Sequence, residues 1–185
     1  MQHQNANKEQ TLMKTMQGSS KIIINASPEK IYTYLRDFNK HIEWNHQPTH
    51  MEKLTKGDID VGTKFKTKEQ ATQSIPPFIG KLMLAFFGLV LGNAGYTIAE
   101  ITALDSPNHI AWQAAAPARN GYDMKANWEL LITPTAKGTQ VEQTFYFMPQ
   151  RWFSNLMTTK SLENELVREV GRNLENLKSI LEKEV

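Results

Sequence analysis

At 185 residues, with 40% hydrophobic and 22% charged side chains, the chain has enough apolar mass for one domain with a sizeable core. A formal net charge of +2, from 21 basic and 19 acidic residues that form no basic block, gives nucleic acid no footing as a partner. Cysteine is absent, which removes disulfide scaffolding, thiol catalysis and thiolate metal sites together.

Residues 1–18 hold few large apolar groups beyond Leu12, Met13 and Met16, and this composition predicts a flexible tail ahead of a domain spanning 19–185. The opening residues have no apolar stretch of the signal-peptide kind, so a cytoplasmic location is the expectation. Lys21 to Asn25, with three consecutive isoleucines, reads as a strand. Ser27-Pro28-Glu29 then starts a helix, with Ser as N-cap and Pro in the first turn, and Ile31, Tyr34, Leu35 and Phe38 form its inner face. A second short helical piece runs through His41, Ile42 and Trp44 and stops at Pro48.

From there the period changes to two. Thr49–Leu54 is a weak strand, Lys56-Gly57-Asp58 a turn, and Thr63–Gln70 alternates clearly, with Lys64, Lys66 and Lys68 on one side and Phe65, Thr67 and Glu69 on the other. Further strands are predicted over Tyr96–Leu104, His109–Ala115 (Ile110, Trp112 and Ala114 sharing a face) and Tyr122–Ile132 (Met124, Ala126, Trp128, Leu130 and Ile132 inward). The last strand turns Val141, Gln143, Phe145 and Phe147 inward before Pro149. From about Arg151 to Val185, Leu162, Leu166, Val170, Leu174, Leu177 and Leu181 recur at helical spacing. The opposite face is charged, with Glu165 and Arg168, Glu169 and Arg172, and Glu175 and Lys178 three apart. Gly171 interrupts this helix and predicts a close approach by another backbone or a ligand.

The order is therefore one strand, two helices, six strands and a long helix: an α+β domain of about seven antiparallel strands curved around the C-terminal helix. The space between them is the expected functional feature. Glu69 and Gln143 face inward, either onto a ligand or near strand ends in solvent; a buried Glu69 is a weak candidate for a general acid or base. Trp112 and Trp128 are flat walls for a ring or acyl chain, or core packing. In the polar loop Arg119 to Asp123, Arg119 is the candidate for an anionic head group, or else a solvated hairpin arginine. His41, His46 and His50 surround Trp44 at spacings unlike a zinc motif and read as surface or cap histidines. No Ser-His-Asp set, phosphate-cradling loop, dinucleotide fingerprint or metal-ligand cluster stands in the sequence, so no metal or cofactor is expected.

The element order, the opening Ile24-Asn25-Ala26-Ser27-Pro28-Glu29-Lys30-Ile31 with Trp44 after it, the Ala99-Glu100 to Trp112 strand pair and the terminal amphipathic helix resemble the START-like (SRPBCC) superfamily, and within it the polyketide cyclase/dehydrase and lipid-transport group. The resemblance covers 19–185 and implies a helix-grip fold whose cavity receives a hydrophobic small molecule: a lipid, a polyketide-like or an aromatic compound. The candidate contacts are Phe65, Thr67, Glu69, Trp112, Arg119, Met124, Trp128, Gln143, Phe145, Leu166 and Val170. Binding rather than turnover is the expected activity. The alternatives are a cyclase/aromatase-type enzyme in which Glu69, Gln143 or Tyr146 assists proton transfer, and a protein-interaction or membrane-docking module. The third alternative draws on the apolar stretch Ile75 to Gly95, which departs from the family pattern. It reads as a core cap, a lid, or, through 78–91, a homodimer or peripheral membrane contact.

Overall fold

The computed structural model describes residues 15–46, 48–69, 96–118, 121–149 and 159–183. The expected tail, apart from its last residues, the 75–95 stretch, Arg119 and the 151–158 start of the last helix lie outside them. The elements run β1 (Met16–Ile24), α1 (Pro28–Arg36), a 3-10 turn (Phe38–Lys40), α2 (His41–Trp44), β2 (Pro48–Lys53), β3 (Lys64–Glu69), β4 (Thr97–Asp105), β5 (His109–Ala118), β6 (Gly121–Thr135), β7 (Gly138–Pro149) and α3 (Lys160–Lys183).

All seven strands form one antiparallel sheet in the order β1-β7-β6-β5-β4-β3-β2. The first strand pairs with the last, and the chain crosses through α1 and α2 to begin again at the opposite edge. The sheet is curved and the long C-terminal helix lies against it, which is the helix-grip fold. Ser27 caps α1 by accepting from the Lys30 amide at 3.2 Å, and Pro28 occupies the first turn, where its missing N–H has no helical partner to lose.

β1 begins at Met16, five residues ahead of the expected Lys21. Its inward positions explain why the alternation is faint. Gly18 and Ser20 stand where larger apolar residues would advertise a strand, and both lie under α3. A Cβ on Gly18 would come within 2.5 Å of Val167 Cγ2 and 2.9 Å of the Phe145 ring; a Cβ on Gly171 would meet the Ser20 hydroxyl at 3.3 Å. The close approach predicted at Gly171 is thus made by a strand side chain. Gly18→Val is expected to lower stability by about 1–3 kcal/mol through overpacking. A urea unfolding midpoint equal to that of the parent chain would contradict this seating of the helix.

The apolar stripe of α3 is buried from Leu166 to Leu181, and its C-terminal end is pinned to β1. Lys178 donates to the Ile23 carbonyl at 2.6 Å and pairs with Glu182, whose carboxylate also accepts from the Asn25 amide at 2.7 Å. These bonds to Lys178 and Asn25 hold the Glu182 carboxyl below its ordinary range. Lys30 donates to the Leu181 carbonyl at 3.1 Å, covering one of the acceptors a helix end leaves open.

Two of the three expected surface ion pairs differ. Glu165 does pair with Arg168, and it also takes Arg172 at 3.2 Å, the residue assigned to Glu169. Glu169 is buried, at 4% exposure, one turn before the buried Asn173. Lys178 pairs forward with Glu182 at 2.8 Å instead of back with Glu175. The stripe facing inward is wider than the leucines alone suggest, because α2 packs on one flank of the helix.

Candidate functional site

Alternation along the strands sends Phe65, Thr67, Ala99, Trp112, Ala126, Trp128, Leu130, Gln143 and Phe145 to the face covered by helices. Register makes neighbours of several of them. Trp112 sits directly opposite Trp128, and Trp128 opposite Phe145. The two indoles stack, with centroids 6.0 Å apart and planes 8° from parallel. Phe145 and Phe147 extend the aromatic row across β7, at 5.8 and 5.7 Å from Trp128. From above, Phe38 stacks on Phe65 at 5.4 Å and meets Trp112 edge-on at 5.6 Å.

A cavity of about 50 Å³ lies within this cluster. Phe38, His41 and Asn45 form its helical side; Pro48 and Met51 of β2 form its edge. Thr67, Thr97, Ala99, Trp112, Ala114 and Trp128 form its floor. It sits at the end of the sheet where β3 leaves toward residue 70 and β4 enters from residue 95. Its described walls come from the 3-10 turn, α2 and the strands. None comes from α3, beneath which Leu166, Val170, Leu174 and Phe145 fill the space.

The polar groups of these walls are few. Thr67 and Thr97, opposite one another on β3 and β4, bond hydroxyl to hydroxyl. Asn45 accepts from Asn173 of α3 at 3.1 Å, so the cavity wall is tied to the long helix. His41 is only 3% exposed, which corrects its reading as a surface histidine; His46 and His50 are exposed. The His41 ring stacks on Phe38 at 4.2 Å and meets Trp44 and Trp112 at 5.2 and 5.4 Å. Its Nε2 lies 3.2 Å from the Leu35 carbonyl. A carbonyl only accepts, so Nε2 carries the proton. Burial pushes the imidazole down to about 4, against smaller raising effects from the Leu35 bond and Asp37.

Of the residues proposed from sequence, Thr67, Trp112 and Trp128 line the cavity. Phe65, Gln143, Phe145, Leu166 and Val170 are buried in the core and are not among its walls. Gln143 is 1% exposed, and its Oε1 has no hydrogen-bond partner among the described residues. Tyr146, a proton-transfer candidate, points to the outer face at 37% exposure, because it falls between the inward Phe145 and Phe147. Glu69 and Met124 hold places on β3 and β6 by register; their side chains, and Arg119, are outside the described residues. Sequence reasoning missed Phe38, His41 and Asn45 as cavity walls. Phe38 is legible only as an inner-face helix residue, and the four-residue α2 is too short for a period that would mark His41 or Asn45.

No group of three or more His, Asp or Glu among the described residues could hold a metal ion. No helix among them is long and apolar enough to cross a membrane.

A one-sheet helix-grip architecture with an aromatic cavity on its concave side defines a START-like (SRPBCC) domain. The profile of the family described as polyketide cyclase/dehydrase and lipid transport matches residues 15–182, and the chain belongs to that family. No curated protein matches it in sequence. Among solved structures it is similar to the di-domain ARO/CYC StfQ of the steffimycin biosynthetic pathway, at 13% identity and TM-score 0.63 over 96% of this chain and 54% of that one. It is also similar to truncated norcoclaurine synthase from Thalictrum flavum, at 12% identity and TM-score 0.58 over 91% of this chain and 94% of that one. Ara h 8.0201 gives 9% identity and TM-score 0.60 over 92% and 99%. At these identities the likeness is one of fold. Family and fold fit hydrophobic-ligand binding or cyclase-type roles.

Proposed function

We propose that this chain binds a hydrophobic small molecule, one end of which enters the cavity between α2 and the sheet. The observation that supports this best is the stacked Trp112–Trp128 pair forming the floor of that cavity beneath Phe38 and His41. Its volume of about 50 Å³ suits a ring edge or a small polar group, whereas a whole ligand of ordinary size occupies about 300 Å³ or more. The driving force is removal of apolar ligand surface from water, about 25 cal/mol per Å². Binding without turnover is the form of the activity proposed.

The neutral fluorophore N-phenyl-1-naphthylamine tests this reading. It is expected to bind the full chain saturably at one site and to accept excitation energy from tryptophan. Trp112→Leu and Trp128→Leu are each expected to weaken binding about tenfold, the equivalent of about 1.4 kcal/mol. Absence of saturation, or an affinity that neither substitution changes, would contradict the proposal.

A further inference from the structure

We infer that His41 reads the ligand as a hydrogen-bond acceptor, so that the molecule taken by the cavity presents a hydroxyl or other uncharged donor at its inserted end. The inference rests on the proposed cavity and deepens it. Three observations lead to it. The Nε2–H of His41 is committed to the Leu35 carbonyl at 3.2 Å, which fixes the tautomer. The ring is clamped between Phe38 at 4.2 Å and the edges of Trp44 and Trp112, so it cannot turn over without unpacking them. His41 is itself a wall of the cavity, and the contact of its Nε2 with Leu35 is the one hydrogen bond its ring makes among the described residues.

A neutral imidazole with a proton on Nε2 has a lone pair on Nδ1. In a wall made largely of aromatic and methyl groups, that lone pair is satisfied by water or by a donor on the ligand. An apolar group placed there displaces the water and leaves the acceptor unmade, which is unfavourable. A carboxylate placed there sets lone pair against lone pair. The Thr67 and Thr97 hydroxyls on the floor bond to one another, and the Asn45 carbonyl oxygen takes the Asn173 amide. A phenol or alcohol satisfies Nδ1 while its ring or chain covers Trp112 and Trp128.

Three single-ring probes of matched size separate these cases: para-cresol, para-xylene and para-toluate, titrated into the full chain and followed by NMR. Cresol is expected to bind about tenfold more tightly than xylene, as one hydrogen bond to a buried acceptor predicts. Toluate is expected to bind more weakly than either. In His41→Phe the cresol-to-xylene ratio should fall to within about twofold. Without any substitution, the ¹⁵N signal of His41 Nδ1 should move upfield on addition of cresol and stay in place with xylene, which keeps the test open should the variant misfold. A cresol preference unchanged in His41→Phe, an Nδ1 signal indifferent to cresol, or toluate binding as tight as cresol binding would overturn the role of His41 while leaving a hydrophobic site in place. If none of the three probes binds the parent chain, the cavity reading itself falls, and the inference with it.

Discussion

Replacing Phe145 with alanine is expected to lower folding stability by about 3–5 kcal/mol, the range for removing a fully buried aromatic ring. The ring is inaccessible to solvent, packs against Trp128 and Phe147 at 5.8 and 5.6 Å, and covers the bare backbone of Gly18 beneath α3. No neighbour can collapse into the vacated space without moving the strand that seats the helix, so little of the loss is recovered. Sequence alternation offered Phe145 as a ligand contact, and the two roles predict different outcomes. A core ring fails in a urea unfolding experiment, with a midpoint lowered in proportion to the lost free energy. A cavity wall would leave the midpoint within about 1 kcal/mol of the parent and alter ligand affinity instead. The second outcome would mean that the space beneath α3 is open rather than filled.

Acidification from pH 6.5 to 5 is expected to cost the fold about 2 kcal/mol through His41 alone. The imidazole has an ordinary value of 6.5 and is pushed down to about 4 by burial in the folded protein. Across that window the unfolded chain binds a proton that the folded chain refuses, so stability falls as pH falls. The contribution is fully present above pH 6.5, declines by about 1.4 kcal/mol per pH unit below it, and levels off near pH 4 at a loss of about 3 kcal/mol. The groups around the ring explain the direction. Phe38, Trp44 and Trp112 offer no charge, and Asp37 offsets only part of the desolvation. Comparison with a variant that lacks the imidazole separates this contribution from that of the other ionisable groups. Unfolding free energies of the parent and of His41→Phe, measured at pH 7, 6 and 5, should diverge in slope, with the variant the flatter. Parallel slopes would show that His41 is solvated or charged in the fold.

The order of elements along the chain and the long helix were legible because their periods are clean: two-residue alternation in the strands between Phe65 and Phe147 and a leucine stripe on α3. What escaped was decided by contacts between elements. β1 looked shorter than it is because Gly18 and Ser20 are small to admit α3, and small inward residues carry no hydrophobic signal. Glu169 reads as a surface charge from its spacing to Arg172, yet it is buried, one turn before the buried Asn173, and Arg172 pairs with Glu165 instead. His41 looked peripheral because a four-residue helix has no periodicity to show which side is inside. Only its stacking on Phe38 and its bond to Leu35 reveal it as a wall of the site. The candidate site was therefore half legible: the strands supplied Thr67, Trp112 and Trp128, and the helical roof did not announce itself.

The proposed ligand position is tested most directly by the indole N–H resonances of the four tryptophans, followed by NMR as N-phenyl-1-naphthylamine is added to the full chain. The Trp112 and Trp128 signals, assigned through Trp112→Leu and Trp128→Leu, are predicted to shift together and to saturate at one equivalent. Saturable binding that leaves both signals unmoved would place the ligand elsewhere and contradict a binding site on the floor of the α2 cavity.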